Sequence, residues 1–179
     1  MAQYRPNGCL NRWMVRSMGV VMKWGVKSSF RHYILTSGSG KITAMGGADA
    51  LEDGTFVFTG EDTSRPHDLR FCGDLRFSAH HGMLFVMVHD PWITRRDNDW
   101  DLSVTDVGHW PARTHRMVFA RLGTPAVTES GLEFPEVRLT PEASLDFGGN
   151  YPAGTALDPI HVVDDMAEPS HPGPPRTPA

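Results

Sequence analysis

The sequence predicts a mainly β domain, an antiparallel sandwich or barrel-like fold with one short helix near its N-terminus. Three observations favour this class. Many short segments with strand-like alternation are separated by Gly, Pro, Asp and Asn. One early segment has the 3.6-residue period of a helix. The 179 residues, 40% of them hydrophobic, are enough to build one core.

Charge and hydropathy exclude several classes of protein. A formal net charge of -4 disfavours binding to a phosphate backbone, so no nucleic-acid partner is expected. The longest apolar run, residues 83–88, is far shorter than the roughly 18 residues of a membrane-spanning helix. Without a signal-peptide core near its start, the chain as written is expected to be cytoplasmic. Cys9 and Cys72 permit at most one bridge and are most simply free thiols.

The predicted helix covers residues 24–34. Ser29 and Tyr33 are one turn apart and are therefore neighbours on its surface. The apolar residues recur at positions i, i+4, i+7 and i+8, as expected for one buried helical face: Val26, Phe30, Tyr33 and Ile34.

Strands are predicted along the rest of the chain. Residues 69–77 alternate as one half-solvated strand, which places Cys72 on its polar face. Residues 80–82 form a corner, and residues 83–89 are apolar on both faces. Such a segment is either a central, doubly covered strand or the wall of an apolar ligand pocket. The remaining predicted strands are residues 41–45, 55–59, 102–107, 116–122, 132–139 and 160–163.

Three regions follow from these patterns. Residues 1–23 are expected to be a poorly ordered leader, and residues 24–163 the working domain. Residues 164–179 are expected to be a disordered tail, because prolines at 169, 172, 174, 175 and 178 oppose both helix and strand.

Common enzyme and metal motifs are absent from the sequence. The segment from Ser37 to Lys41 lacks the spacing of a phosphate-binding loop, and no GxSxG, HExxH or CxxCH motif occurs. The nine histidines have no recognisable zinc-ligand spacing. Serine hydrolases, zinc proteases and covalent c-type haem proteins therefore have no support in the sequence, and the chain is expected to be a non-enzymatic binding domain.

Three sequence blocks carry a more specific signal. Residues 24–34 read WGVKSSFRHYI, residues 71–84 read FCGDLRFSAHHGML, and residues 147–159 read FGGNYPAGTALDP. In order, they resemble the WGVKxSFRxYI, FxGxVxFxGHxGxL and FGGFYxAGTALDP motifs of the HtaA family, the haem-transport-associated domains of actinobacterial haem uptake. The resemblance spans about four-fifths of the chain.

The resemblance implies a site for ferric haem b, bound non-covalently. By motif position Tyr33 is the axial ligand of the iron, and His80, rather than His81, hydrogen-bonds to Tyr33. The implied function is haem acquisition, transfer or buffering, with haem-transfer proteins as possible partners; such family members are often secreted or at the cell surface.

Further haem contacts are expected at four positions, each with a structural alternative. Ser29 is a candidate for a haem propionate, or else a backbone-bonded helical serine. Phe30, Met83 and Phe85 are candidates for packing on the porphyrin, with core packing as the alternative. Lys27 and Arg31 are weaker candidates for propionates, since solvated surface charge also explains them.

Three departures from the family pattern leave two other functions open. Ala79 replaces a usual glycine, His81 a small polar or acidic residue, and Asn150 an aromatic residue. A structural or interaction β-sandwich that has lost haem binding is the first alternative. An enzyme acting on haem is the second, and it would need His81 or His89 as a distal group.

Overall fold

The computed structural model describes residues 19–61 and 67–164 as antiparallel strands with two short helices. The mainly β prediction is confirmed, while the predicted tail beyond residue 164 and residues 1–18 of the predicted leader lie outside the described residues. In chain order the elements are β1 (Val20–Trp24), α1 (Ser28–Thr36), β2 (Lys41–Met45), β3 (Ala48–Ala50), β4 (Phe56–Gly60), β5 (Asp68–Cys72), β6 (Asp74–Ala79), a 3-10 turn (His80–Gly82), β7 (Leu84–His89), β8 (Trp92–Arg96), β9 (Asp99–Thr105), a 3-10 turn (Val107–His109), β10 (Arg116–Leu122), β11 (Ala126–Thr128), β12 (Gly131–Phe134), β13 (Val137–Leu139), α2 (Pro141–Asp146) and β14 (Ile160–Asp164).

The strands form one large and one small sheet. The large sheet has the order β11-β12-β14-β1-β4-β5-β8-β9-β10-β13, with β3 beside β4, and the small sheet has the order β2-β6-β7. Strand β1 begins at Val20, inside the predicted leader, and pairs with β14. Met22 and Trp24 on this strand are both buried in the core, which explains why the segment is ordered as part of the sheet.

A glycine divides the predicted strand at residues 69–77 into two strands in different sheets. Gly73 has a φ of 152°, and a Cβ there would lie 2.7 Å from the Cβ of Ala48. Only glycine fits this close approach, and the chain passes there from β5 in the large sheet to β6 in the small one. The prediction of one continuous strand is therefore wrong.

Cys72 also differs from expectation. Its side chain is buried rather than on a polar face, and it is disulfide-bonded, so the prediction of a free thiol at this position is wrong. Cys9 lies outside the described residues.

The remaining strands and the second helix agree with the sequence prediction in part. The strands expected at residues 41–45 and 116–122 match β2 and β10. Strand β7 lies at the edge of the small sheet, so the first of its two alternatives, a central strand, is wrong. All its side chains except that of Phe85 are buried. Helix α2 was not predicted; Thr140 caps it by accepting a hydrogen bond from the Ala143 amide.

Helix α1 packs on the small sheet and carries an exposed tyrosine. It begins at Ser28 because Trp24 still belongs to β1. Phe30 and Ile34 are buried, and the Phe30 ring lies 5.2 Å from that of Phe77 on β6. Tyr33 is 36% exposed, so the prediction that it belongs to the buried face is wrong. No helix in the described residues is long and apolar enough to cross a bilayer.

Candidate functional site

The start of α1 is held by the carboxylate of Asp158, which comes from the third sequence block. Its Oδ1 accepts the Ser28 amide at 3.1 Å, and its Oδ2 pairs with Arg31 Nη1 at 2.7 Å. Its backbone carbonyl accepts Trp24 Nε1–H at 2.9 Å. The side chain of Lys27, at the N-cap, does not cap the helix, so Asp158 takes that role from a distant loop.

Arg31 and Lys27 are therefore structural rather than free rim charges. The Arg31 side chain is 15% exposed and donates to the Gly25 carbonyl as well as to Asp158. Lys27 Nζ donates to the carbonyl of Ala156 at 2.9 Å. Several residues shared with the family motifs thus serve to fix α1 in place.

The corner between β6 and β7 has an unusual backbone. His80, His81 and Gly82 have φ values of 51°, 56° and 88°, all in the left-handed region. For the two histidines this costs roughly 1 to 2 kcal/mol each, so the surrounding structure must hold the corner in place. Ala79 is an ordinary extended residue paired with Leu84 at the end of the strand, so alanine fits where the family has glycine.

The corner and the helix meet through two side chains. The Tyr33 hydroxyl and His80 Nε2 form a direct hydrogen bond, with the ring centroids 5.8 Å apart and the planes inclined by 50°. Both side chains are exposed. An imidazole N–H placed on a phenol oxygen stabilises the deprotonated phenolate, which is a hard anionic ligand for a ferric ion.

A second pair of hydroxyls lies one turn earlier on α1. Ser29 Oγ is 3.5 Å from the Tyr151 hydroxyl. The Tyr151 ring is half-buried and packs edge-on against Phe30 and Phe147, with centroids 5.7 and 5.5 Å away. Tyr151 was not singled out from the sequence, and its place in the third block was the only signal. Together these hydroxyls can hydrogen-bond to a carboxylate.

The apolar candidates are spread over different parts of the fold. Phe30 lies in the core, the alternative that the sequence left open. Met83 follows the corner and is 90% exposed. Phe85 is paired with Ser78, and since paired residues share a sheet face, it lies opposite the face on which Phe77 meets α1.

The remaining histidines of the described residues lie apart from one another or in hydrogen bonds of their own. Among residues 19–61 and 67–164, no group of three or more His, Cys, Asp or Glu side chains is arranged to hold a metal ion. His81 is exposed, and its backbone amide donates to Ser39 Oγ at 3.0 Å. His89 is buried beneath Trp110, and its Nδ1 lies 3.0 Å from Thr105 Oγ1.

His89 predicts a pH dependence of stability. Burial lowers the pKa of His89 below its ordinary value of 6.5. The unfolded chain takes up a proton there near pH 6.5 and the folded chain does not, so the free energy of unfolding is expected to decrease as pH falls below about 6.5. Urea unfolding at pH 7.5 and 5.5 should show a smaller decrease for His89→Gln than for the unmodified chain. Equal decreases in both proteins would contradict the assignment.

Comparisons with known proteins identify the family and the fold. The family model of HtaA matches residues 19–163. The C-terminal domain of HtaA from Corynebacterium glutamicum is 26% identical with a TM-score of 0.59, and the match covers 81% of this chain and 94% of that domain. The N-terminal domain of the same protein is 24% identical with a TM-score of 0.59, over 81% of this chain and 96% of that domain.

A third similar structure is that of the heme binding protein HtaB from the same organism. It is 15% identical with a TM-score of 0.61, over 80% of this chain and 90% of that one. At this level of identity the likeness shows the fold alone. No curated protein matches the chain.

Proposed function

This chain belongs to the HtaA family, and on that premise we propose that it binds ferric haem b non-covalently, with Tyr33 as the axial ligand of the iron. Family membership supports a haem-related function. The finer assignment rests on one observation, the hydrogen bond between the Tyr33 hydroxyl and His80 Nε2 on an exposed surface.

The residue types suit a ferric ion. A phenol with a pKa near 10 is a poor ligand until it loses its proton, and both Fe(III) and a hydrogen-bond donor favour the phenolate. With haem bound, His80 would donate a hydrogen bond from its Nε2–H to the phenolate oxygen of Tyr33, which would orient the ligand and tune its basicity. Haem bound here would supply a ferric centre with an oxygen ligand.

The flanking residues fit the edges of a haem group. The hydroxyls of Ser29 and Tyr151 lie beside α1, where they can accept or donate hydrogen bonds to a propionate. Met83 offers an exposed apolar side chain next to the corner. Phe30 contributes indirectly, because its buried ring packs against that of Tyr151.

The exposure of the pair favours exchange over catalysis. Tyr33 and His80 lie at the surface, where haem can arrive from one protein and leave to another without opening a buried cavity. The anionic oxygen ligand also favours the ferric state over the ferrous state that reversible oxygen binding needs. We therefore assign the chain to haem transfer or buffering, and not to an enzyme class.

A haemin titration tests this function. The purified chain is expected to bind one haemin and to give the absorption and electron paramagnetic resonance spectra of a five-coordinate, high-spin ferric tyrosinate. A spectrum identical to that of free haemin would contradict the proposal.

Replacing His80 by alanine is expected to weaken haemin binding without abolishing it. The phenolate loses its donor, so the affinity should fall on the order of 10-fold and the phenolate-to-iron charge-transfer band should move. His81→Ala is the matched control, because its ring is exposed and only its backbone amide contacts Ser39. Size-exclusion chromatography checks that both variants remain folded and in the same oligomeric state. Equal losses in the two variants would argue against a specific role for His80.

A further inference from the structure

The turn after α1 makes a contact with the histidine corner that the haem-binding proposal does not use. Ser39 lies in this turn, and its Oγ accepts the backbone N–H of His81 at 3.0 Å. His81 is the middle residue of the three left-handed residues that present the His80 ring. Ser39 therefore contacts the backbone of the corner, on the residue directly after His80.

The turn itself is fastened to the end of α1 that carries Tyr33. The Ser37 amide and Oγ both donate to the Tyr33 carbonyl, at 3.1 and 2.8 Å. The Gly40 amide donates to the Ser37 carbonyl at 2.9 Å, and a Cβ on Gly40 would lie 1.6 Å from the Ile34 carbonyl oxygen. The residues on both sides of Ser39 are therefore packed closely against the end of α1 that carries Tyr33.

These contacts form a closed path of covalent and hydrogen bonds. It runs from Tyr33 through the end of α1 and Ser39 to the His81 amide, and returns through the His80 ring to the Tyr33 hydroxyl. Within the corner itself the Met83 amide bonds to the His80 carbonyl at 3.2 Å, which closes the turn but does not orient it toward the helix. The contact from Ser39 joins the backbone of the corner to the turn after α1.

We propose that Ser39 is a positioning residue that holds the corner so that His80 reaches the Tyr33 oxygen, an inference that rests on the proposed haem site. Ser39 touches neither the ligand oxygen nor the His80 ring. It acts through the backbone of His81, and its loss lets the strained corner turn away from the helix.

The test compares Ser39→Ala, Ser39→Thr and Gly38→Ala in the 179-residue chain loaded with haemin. In Ser39→Ala the charge-transfer band is expected to move toward its position in His80→Ala, and haemin dissociation to quicken about five-fold, as for one typical hydrogen bond. Ser39→Thr keeps the hydroxyl and should restore both values. Gly38→Ala perturbs the same turn, but its Cβ would meet nothing within 4 Å, so it should match the unmodified chain.

An unchanged band in Ser39→Ala, or a band that threonine does not restore, would overturn the positioning role. A measurement without haemin separates this result from failure of the proposed function. In ¹⁵N-histidine spectra, the His80 Nε2 signal of Ser39→Ala should move toward its position in Tyr33→Phe. If the unmodified chain binds no haemin, this signal still decides: a shift supports the role of Ser39, and no shift overturns it.

If Ser39→Ala does not fold, hydrogen exchange in the unmodified chain provides the test. The His81 amide should exchange more slowly than the Gly82 amide. Equal rates would overturn the contact.

Discussion

Replacement of Tyr33 by phenylalanine is expected to abolish specific haemin binding. The change removes only the hydroxyl that contacts His80 Nε2. Phenylalanine keeps the ring, so the packing of α1 and the free energy of unfolding should change little. The affinity should fall by more than about 100-fold, beyond the roughly 10- to 100-fold range typical of losing an outer partner. The ferric tyrosinate spectrum should disappear.

Tyr151→Phe is a matched control for this prediction. It removes a hydroxyl beside the same helix, and that hydroxyl contacts Ser29 rather than His80. We expect the tyrosinate spectrum to persist in Tyr151→Phe. A tyrosinate spectrum that survives in Tyr33→Phe and is lost in Tyr151→Phe would transfer the ligand role to Tyr151.

Replacement of Phe30 by alanine is expected to have the largest effect on stability. The ring is fully buried and packs on Phe77, Phe147 and Tyr151, with centroids 5.2, 4.7 and 5.7 Å away. Removing the ring leaves a cavity between α1 and the side chains of Phe77, Phe147 and Tyr151. The free energy of unfolding should therefore fall by about 3 to 5 kcal/mol. Urea unfolding of the haem-free chain measures this loss.

Met83→Ala is the control for Phe30. Both residues were candidates for contact with a porphyrin, but Met83 is 90% exposed. Its replacement should change the free energy of unfolding by less than about 0.5 kcal/mol and act only on haemin affinity. If Phe30→Ala leaves the haem-free stability unchanged and weakens haemin binding alone, its core role is wrong.

The alternation of apolar and polar residues explains why some strand predictions are right and one is wrong. Strands β2 and β10 were predicted with their observed bounds because each is a separate alternating segment. Residues 69–77 alternate without interruption and still form two strands in two sheets. The two-residue alternation of apolar and polar side chains shows which residues share a face of a strand. It does not show where the strand changes its pairing partner. That change depends on Gly73 passing close to Ala48.

The same reasoning explains two placements near the site that periodicity does not give. Phe85 has the apolar character of a pocket wall, but the register of β7 on β6 puts it with Ser78, away from α1. Tyr33 fits the helical period of a buried face, yet α1 begins four residues later than predicted and is oriented by Asp158, which leaves Tyr33 exposed. Neither register nor helix orientation is encoded in local periodicity.

Sequence alone therefore defines the mainly β class, the helix near the N-terminus and, through the three motif blocks, the identities of Tyr33 and His80 as candidates. The tertiary structure decides that these two side chains meet, although they are 47 positions apart. It also adds Tyr151 beside Ser29 and Ser39 beneath the corner. The reason is physical: hydrogen bonds between distant elements depend on sheet register, helix orientation and strained turns, and packing of the whole chain sets all three.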